Sequence, residues 1–494
     1  MASDDTRKLE AVRQRLVLQI ETETLKYKLK QAKRLNAGAR HFEAADMGPR
    51  SRKIRAPGAS GPNSVLRPAM RTLRERCRDM VRNNPYAESA MSVIVSGTIG
   101  TGITPAIKEN KRLARLWTSW AESTQCDAAG LSNMAGLQTV AMQSWVETGE
   151  VLFRRVVRKD WKPGEIPYAI QLLEPDYLDD SQYFGSDYRM GIKTDEYGRP
   201  LAYRVFKAHP HDSEVYGLSG VTTESTEVSA ADMGLLYWRK RAGQLRGIPP
   251  LTPVLLRLRG LDENDDAETM RRKVAACFAM FVQNIEGERE MEREDPMLSD
   301  VTPGMVAYLK HGEEIRFAVP PAAGGYNDYM TLGYRGIAAG LGLPYEDLTG
   351  DYSNVNWSSG RLARIKYYGN LDVWQWQMVI PMFCQKTFGW FLDGAEMLGV
   401  PHKSAMVNWT VPRRPVADPN EYAKIRDEVR SGMKSLPESI RENGYDPDDV
   451  LEQNKEYFAK LDAAGLIVDS DPRKVSSIGQ TQPDLINHNN ADNN

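Results

Sequence analysis

A change of hydrophobic period in the middle of the chain constrains its fold more than any other feature. "EVLFRRVVRKDWKPGEIPYAIQLLEPDYL" (150–178) reads as two strands joined at Pro163-Gly164. "MGIKTDEYGRPLAYRVFK" (190–207) reads as a second hairpin that bends at Tyr197-Gly198. Helical tracts lie on both sides of this block. Strands that are grouped, with no alternation with helices, predict an α+β fold and not a repeating βαβ chain.

On the N-terminal side, residues 6–35 read as a basic helix that places Leu9, Val12, Leu16, Ile20, Leu25 and Leu29 roughly on one side. A Pro/Gly/Ser/Arg linker follows at 48–64. The next helix, from Ser64 to Asn83, is stopped by Asn84-Pro85. It carries Arg67, Arg71, Arg74, Arg78 and Arg82 on one face, suited to solvent, to subunit ion pairs, to phosphate or to an acidic neighbour. Two further helices are expected at 110–123 and 132–147.

Helical signals return at Pro250. Leu251, Val254, Leu258, Leu261, Met270 and Val274 predict a helix to about 281, and a second one spans 327–342. Between them, "EGEREMEREDP" (286–296) is almost wholly charged, with short strands expected at 278–284 and 305–318. "LTGDYSNVNWSSGRLARIKYYGNL" (348–371) then passes from a polar loop into a basic helix that Ser358 or Ser359 can cap. Leu362, Ile365, Val373, Trp376, Val379, Ile380 and Phe383 recur at helical steps, broken by Asp372. Pro381 should kink or break this helix. Residues 418–465 are helical again, with Asp-Pro starts at 418 and 446 and stops at Gly444 and Gly465. The polar, Asn-rich residues after Val468 read as a disordered tail.

The 494 residues suffice for two or three domains. The net charge of -2 argues against a generic nucleic-acid binder, although residues 1–82 hold 20 Lys/Arg against 9 Asp/Glu. Cys77, Cys126, Cys277 and Cys384 are far apart and form no CxxC pair or Cys/His cluster, which disfavours a zinc site and suggests free thiols in a reducing compartment. No signal-peptide pattern and no apolar stretch long enough to span a bilayer is expected, so no membrane role is assigned.

The search for chemistry is negative. There is no GxxxxGK[ST], HExxH or GxSxG. "GTIGTG" (97–102) reads as a turn, and His209 with His211 is the one close histidine pair. Acidic clusters could serve a metal-dependent nuclease, with Asp176, Asp179 and Asp180 in "EPDYLDD" as its candidates. A matching Lys, His or second acidic motif is missing. A third class of reading is a non-ring DNA-binding scaffold that acts through residues 1–82. The expectation is a mechanical or architectural protein without catalytic residues, metal or cofactor.

Several blocks in order resemble the portal proteins of tailed bacteriophages, specifically the lambda-like portal family. They are "RNNPYAESAMSVIVSGTIGTGITP" (82–105), "WTSWAE" (117–122), "WVETGEVLFRR" (145–155), "QLLEPDYLDD" (171–180), "DEYGRPLAYRVF" (195–206), "RAGQLRGIPPLTPVL" (241–255), "GLGLPYEDLTGDYSNVNWSSGR" (340–361) and "DPNEYAKIRDEVRSGMKSLPESIRENG" (418–444). The resemblance covers roughly 80–465. It departs from the family at Ala242, where relatives often carry proline, and at the N-terminal helix (6–35) and its linker.

The resemblance implies a homo-oligomeric ring of about twelve chains at one capsid vertex of the virion. It implies an N-terminal helix and linker (1–64), a wing (65–250), stem helices (251–281 and 327–344) around a clip (282–326), a tunnel loop (345–358), a long inner helix (359–399), a crown (400–467) and a tail (468–494). The implied partners are double-stranded DNA, the large terminase subunit, head-tail adaptor proteins, and the major capsid and scaffold proteins. Thr349, Asp351, Tyr352, Ser353, Asn354, Asn356, Trp357, Arg361 and Arg364 would line the tunnel. Acidic stem residues Asp262, Glu263, Asp265 and Asp266 would face the bore. Glu286, Glu288, Arg289, Glu290, Glu292, Arg293 and Glu294 of the clip would dock partners.

Overall fold

The computed structural model describes residues 60–107, 110–181, 187–210, 224–276, 280–284, 313–317, 325–401, 407–414 and 419–468, with 22, 26, 471 and 473. The side chains of 274–276, 280–284, 313–317, 357 and 419–422 lie outside that description. The chain divides into two compact units, Met1–Gly61 and Pro62–Asn494. Of the first, Thr22 and Lys26 are helical and exposed. The expected basic helix, most of the linker and nearly all of the tail otherwise fall outside the described residues.

The second unit opens with α1 (Pro62–Asn83) and α2 (Pro85–Ile99). Asn84 separates them: its Oδ1 accepts from the N–H groups of Tyr86 and Ala87, and Pro85 occupies the first helical turn. A turn with left-handed Gly100 and Gly102 leads to β1 (Thr104–Ala106), as "GTIGTG" suggests. Then come α3 (Lys111–Ala121) and α4 (Met134–Thr148), which ends on left-handed Gly149.

The strand block follows as β2 (Glu150–Val157), β3 (Tyr168–Leu173), β4 (Tyr188–Arg189), β5 (Ile192–Thr194), β6 (Pro200–Phe206), β7 (Ser225–Ser229) and β8 (Met233–Tyr237). They form two antiparallel sheets, β3-β2-β8 and β4-β5-β6-β7. Both expected hairpins are present. Strands and helices are therefore segregated as the period change required.

Helix α5 (Leu255–Ala276) precedes the antiparallel pair β9 (Met280–Asn284) and β10 (Glu313–Phe317), which α6 (Tyr326–Leu341) follows. α5 starts four residues later than its apolar spacing suggested, because 250–254 after Pro249-Pro250 form turns. The segment expected to be one loop begins as a short helix, α7 (Tyr345–Thr349), leaving the loop at 350–356. Next is α8 (Trp357–Trp374), capped by Asn356 and not by Ser358 or Ser359. β11 (Asn408–Thr410) pairs with β1. The C-terminal part holds α10 (Pro419–Arg430), α11 (Leu436–Glu442) and α12 (Pro447–Ala464).

Pro381 does not break the long helix. Between α8 and α9 (Gln385–Met397), residues Gln375–Cys384 wind as a π-helix, and the Gln385 N–H reaches back to the Ile380 carbonyl. In an α-helix proline both removes a donor and clashes with the preceding turn. The wider winding absorbs both faults. It also rotates the buried face. Tyr367 and Leu371 are the core residues before it, while Val379, Ile380 and Phe383 are core within it. Leu362, Ile365 and Trp376, which share the apolar spacing in the sequence, are exposed.

The main core gathers α2, α4, the long helix and α9. Trp117 packs edge-on to Phe388 and Phe391 at 5.3 and 5.1 Å, and the Trp120 indole donates to the Tyr168 carbonyl. "WTSWAE" is thus packing, with its indole N–H satisfied.

Candidate functional site

Two polar regions could carry function. The first joins α1 to the sheets. Glu150, at the start of β2, is completely buried. Arg246 grips its carboxylate at 2.6 and 2.9 Å, Arg74 at 2.5 Å, and the Gly247 N–H donates at 2.7 Å. Burial works against the Glu150 charge, but Arg246, Arg74 and the Gly247 N–H outweigh it and hold its pKa below the ordinary value. Arg74 and Arg78 also hold Asp176, at 3.5 and 2.5 Å, and Arg78 takes Glu174 at 2.7 Å. Asp176 is likewise depressed: burial opposes ionisation, and Arg74 and Arg78 more than offset it.

The node requires Gly247. A Cβ there would meet the Gly149 carbonyl oxygen at 1.9 Å. The helical spacing of Arg74 and Arg78 was visible in sequence. Their partners Glu150 and Arg246, far apart along the chain, were not.

This geometry accounts for the acids considered for hydrolysis. Asp176 is held by arginines, and Asp179 accepts from Ser181 and Ser225. Asp180 is exposed. Glu174, Asp176 and His209 bring ligand-type atoms within 4.8 Å of one another, a convergence the sequence does not reveal. Arg78 already bridges the two carboxylates, and a cation would have to displace it. His211 lies outside the described residues. Cys77, Cys126 and Cys384 are buried free thiols, and burial pushes Cys77 and Cys126 up to about 12. No described helix is long and apolar enough to cross a membrane.

The second region is the loop 350–356 with α8. Gly350 turns left-handed at the end of α7. The Asp351 carboxylate accepts from the Ser353 hydroxyl and N–H, which hold its pKa below the usual range. The Tyr352 hydroxyl donates to Asp347 at 2.8 Å, and that bond raises the phenol's pKa. Thr349 donates to the Tyr345 carbonyl inside α7. Asn356 Oδ1 accepts the Ser359 N–H at 2.8 Å. Asp351, Tyr352, Ser353, Asn354 and Asn356 are exposed. Trp357 begins α8, and its side chain lies outside the description. Arg361 is exposed and Arg364 half-buried.

This loop stands on a locked support. Ser89 of α2 donates to the Leu348 carbonyl at 2.7 Å. Tyr367 donates to the Val93 carbonyl at 2.7 Å, and Gln375 to that of Thr98 at 2.8 Å. Asn370 donates to the Gly342 carbonyl at 2.8 Å. Against α8, the π segment, β11 and α11 lies a groove of about 1160 Å³, whose lining includes Ile365, Trp376, Trp409 and Val411.

The four stem acids differ in their surroundings. Asp262 is half-buried and accepts from Asn84 at 2.6 Å. Glu263 pairs with Arg259 at 2.9 Å, and Asp265 accepts the Tyr326 hydroxyl. Asp266 is exposed. The seven charged residues Glu286, Glu288, Arg289, Glu290, Glu292, Arg293 and Glu294 lie outside the described residues.

Residues 47–375 match the phage portal protein, lambda family. The chain belongs to that family, which is one of structural proteins. It is a phage portal protein. It is similar to a probable portal protein of Halomonas phage phiHAP-1, 23% identical over 437 residues, covering 80% of this chain and 81% of the relative. Among solved structures it is similar to a chain in the neck of an empty gene transfer agent particle computed with C6 symmetry. There the identity is 13%, the coverage 76% of this chain and 93% of the other, and the TM-score 0.47. A chain in the neck of the native particle computed with C12 symmetry is also 13% identical, with 76% and 91% coverage and a TM-score of 0.44.

Proposed function

We propose that this portal protein assembles into a closed ring of about twelve copies at one capsid vertex, through which double-stranded DNA is packaged and ejected. The observation that carries this reading is the exposed polar loop 350–356 mounted on the locked start of α8. A closed ring presents one such loop per copy to a common axis. Thr349, Asp351, Tyr352, Ser353, Asn354 and Asn356, with Trp357, Arg361 and Arg364, then form a constriction around the duplex.

In this reading 65–250 is the wing, 251–281 and 327–344 the stem, 282–326 the clip, 345–358 the tunnel loop, 359–399 the inner helix and 400–467 the crown. A strongly basic bore would bind DNA tightly by counterion release and resist sliding. Acidic stem side chains, foremost the exposed Glu263, Asp265 and Asp266, keep the affinity low, and the half-buried Asp262 adds charge beside them. The clip docks the large terminase subunit and then head-tail adaptor proteins, while capsid and scaffold proteins hold the wing. The motor force comes from the terminase.

Native mass measurement with negative-stain images of the purified chain tests the ring. A particle of about twelve 55.6 kDa subunits with a central hole is expected. A chain that remains monomeric under all conditions would overturn the reading. Asp266→Lys should slow packaging in rings that still form, and an unchanged packaging rate would remove the acidic-bore element.

A further inference from the structure

The first glycine of "GTIGTG" is not part of the turn. Gly100 and Gly102 make the turn, whereas Gly97 sits inside α2, which runs to Ile99. Glycine weakens a helix interior, because it loses the most backbone freedom there and packs nothing. The packing against α8 supplies its reason. A Cβ at Gly97 would run into the Tyr367 hydroxyl oxygen, and would lie 3.1 Å from the ring carbon that carries it and from Leu371 Cδ2. Tyr367 is buried, and its hydroxyl donates to the Val93 carbonyl of the same helix at 2.7 Å. α2 thus holds the loop from both sides. Ser89 binds the Leu348 carbonyl before the loop, and the Val93 and Thr98 carbonyls take Tyr367 and Gln375 after it.

We infer that Gly97 is a positioning residue for the loop 350–356: the missing side chain lets Tyr367 seat on α2, and this contact sets where the start of α8 stands. The helix acts as a lever. Gln375 is held on Thr98 at one end, and Tyr367 and Trp357 lie successively further along α8. At 1.5 Å per residue these arms are about 12 and 27 Å, so a push of about 1 Å at Tyr367 becomes about 2 Å where the loop meets the helix. Leu348 stays on Ser89, so the two ends of the loop part. In a ring the displacement repeats in every copy, and Gly97 then sets the width of the constriction. That last consequence rests on the ring reading above; the spacing itself does not.

The test uses the full chain as Gly97→Ala, Tyr367→Phe and the double variant, with cryo-electron microscopy maps of their rings superposed on α2. Gly97→Ala should carry the start of α8 and its loop outward by about 2 Å. Its rings, of normal mass, should package DNA several-fold more slowly. Tyr367→Phe loses the bond to Val93 and should lower the melting temperature while the loop stays in place. In the double variant the new methyl group fills the room that the hydroxyl vacated, and the remaining 3.1 Å contacts yield by a few tenths of an ångström. Loop position and packaging rate should return to those of Tyr367→Phe while the melt stays low. A merely structural role would not give recovery of position without recovery of stability. A Gly97→Ala loop that superposes on the wild type, or a double variant whose loop stays displaced, overturns the inference. Should Gly97→Ala fail to assemble, the double variant decides: assembly with the loop in place supports the spacing role, and failure overturns it. A displaced loop with an unchanged packaging rate overturns the constriction alone. A wild-type chain that forms no ring overturns the ring reading alone, and crystal structures of the single chains then read the same displacement.

Discussion

The α1–β2 node and the α8 loop region both begin as arginines at helical spacing beside acids, and they end in opposite states. Arg74 and Arg78 are folded inward onto Glu150, Asp176 and Glu174. Arg361 and Lys366 remain on the surface. In the first region every charge has a partner on a distant element, so the charges tie α1 to the sheets. In the second the side chains stay available for something outside the chain. Charge in a sequence states a capacity to interact. Burial decides whether the partner comes from the same molecule.

The comparison can be broken most strongly at Glu150. Glu150→Gln leaves two arginines buried without their anion, and a loss of about 3–5 kcal/mol is expected in urea unfolding. A loss close to that of a surface substitution would mean that the node is not a tie. Gly247→Ala comes next. Its new Cβ faces the Gly149 carbonyl oxygen at 1.9 Å, and about 1–3 kcal/mol should be lost. A neutral melt would show that the strand ends give way easily.

Acid sharpens the same contrast. Glu150 and Asp176 have depressed pKa values, so their stabilisation is complete above the unfolded carboxylate range near about pH 4 and fades as pH falls through their lower folded values. Unfolding midpoints measured from pH 7 down to pH 3 should fall steeply in the wild type and less steeply in Glu150→Gln.

The smallest effects belong to the loop. Asn356→Ala removes the cap of α8 and should cost about 1 kcal/mol, which Asn356→Asp largely recovers. Asn354→Ala, at an exposed loop position, should move the melting temperature hardly at all. A large shift there would place Asn354 in the support and not in the outward-facing loop.

Much of the framework was legible because it is encoded locally. The Gly164 and Gly198 hairpin bends, the Asn84-Pro85 helix junction and the Asp446-Pro447 start each rest on residues within a few positions of one another. The site was legible only in part. The loop's polarity and its attachment to a helix were clear, while its shortening by α7 and its Asn356 cap were not. Ser358 and Ser359 are equally good cap residues in isolation, and tertiary anchoring of α7 through Ser89 sets where the loop begins.

The sequence by itself determined the class of fold, the order of its elements and, through its ordered blocks, the family. Tertiary structure alone decided which face of the long helix is core. The period of Leu362, Ile365 and Trp376 reads as a buried stripe, yet Tyr367 and Leu371 are buried instead. The π-wound turn at Pro381 rotates the helix surface, and contacts with α2 choose the face that packs. Periodicity records that apolar residues share a side. It carries no information about which side meets the rest of the chain and which is left for a neighbour, because that depends on where distant elements come to rest.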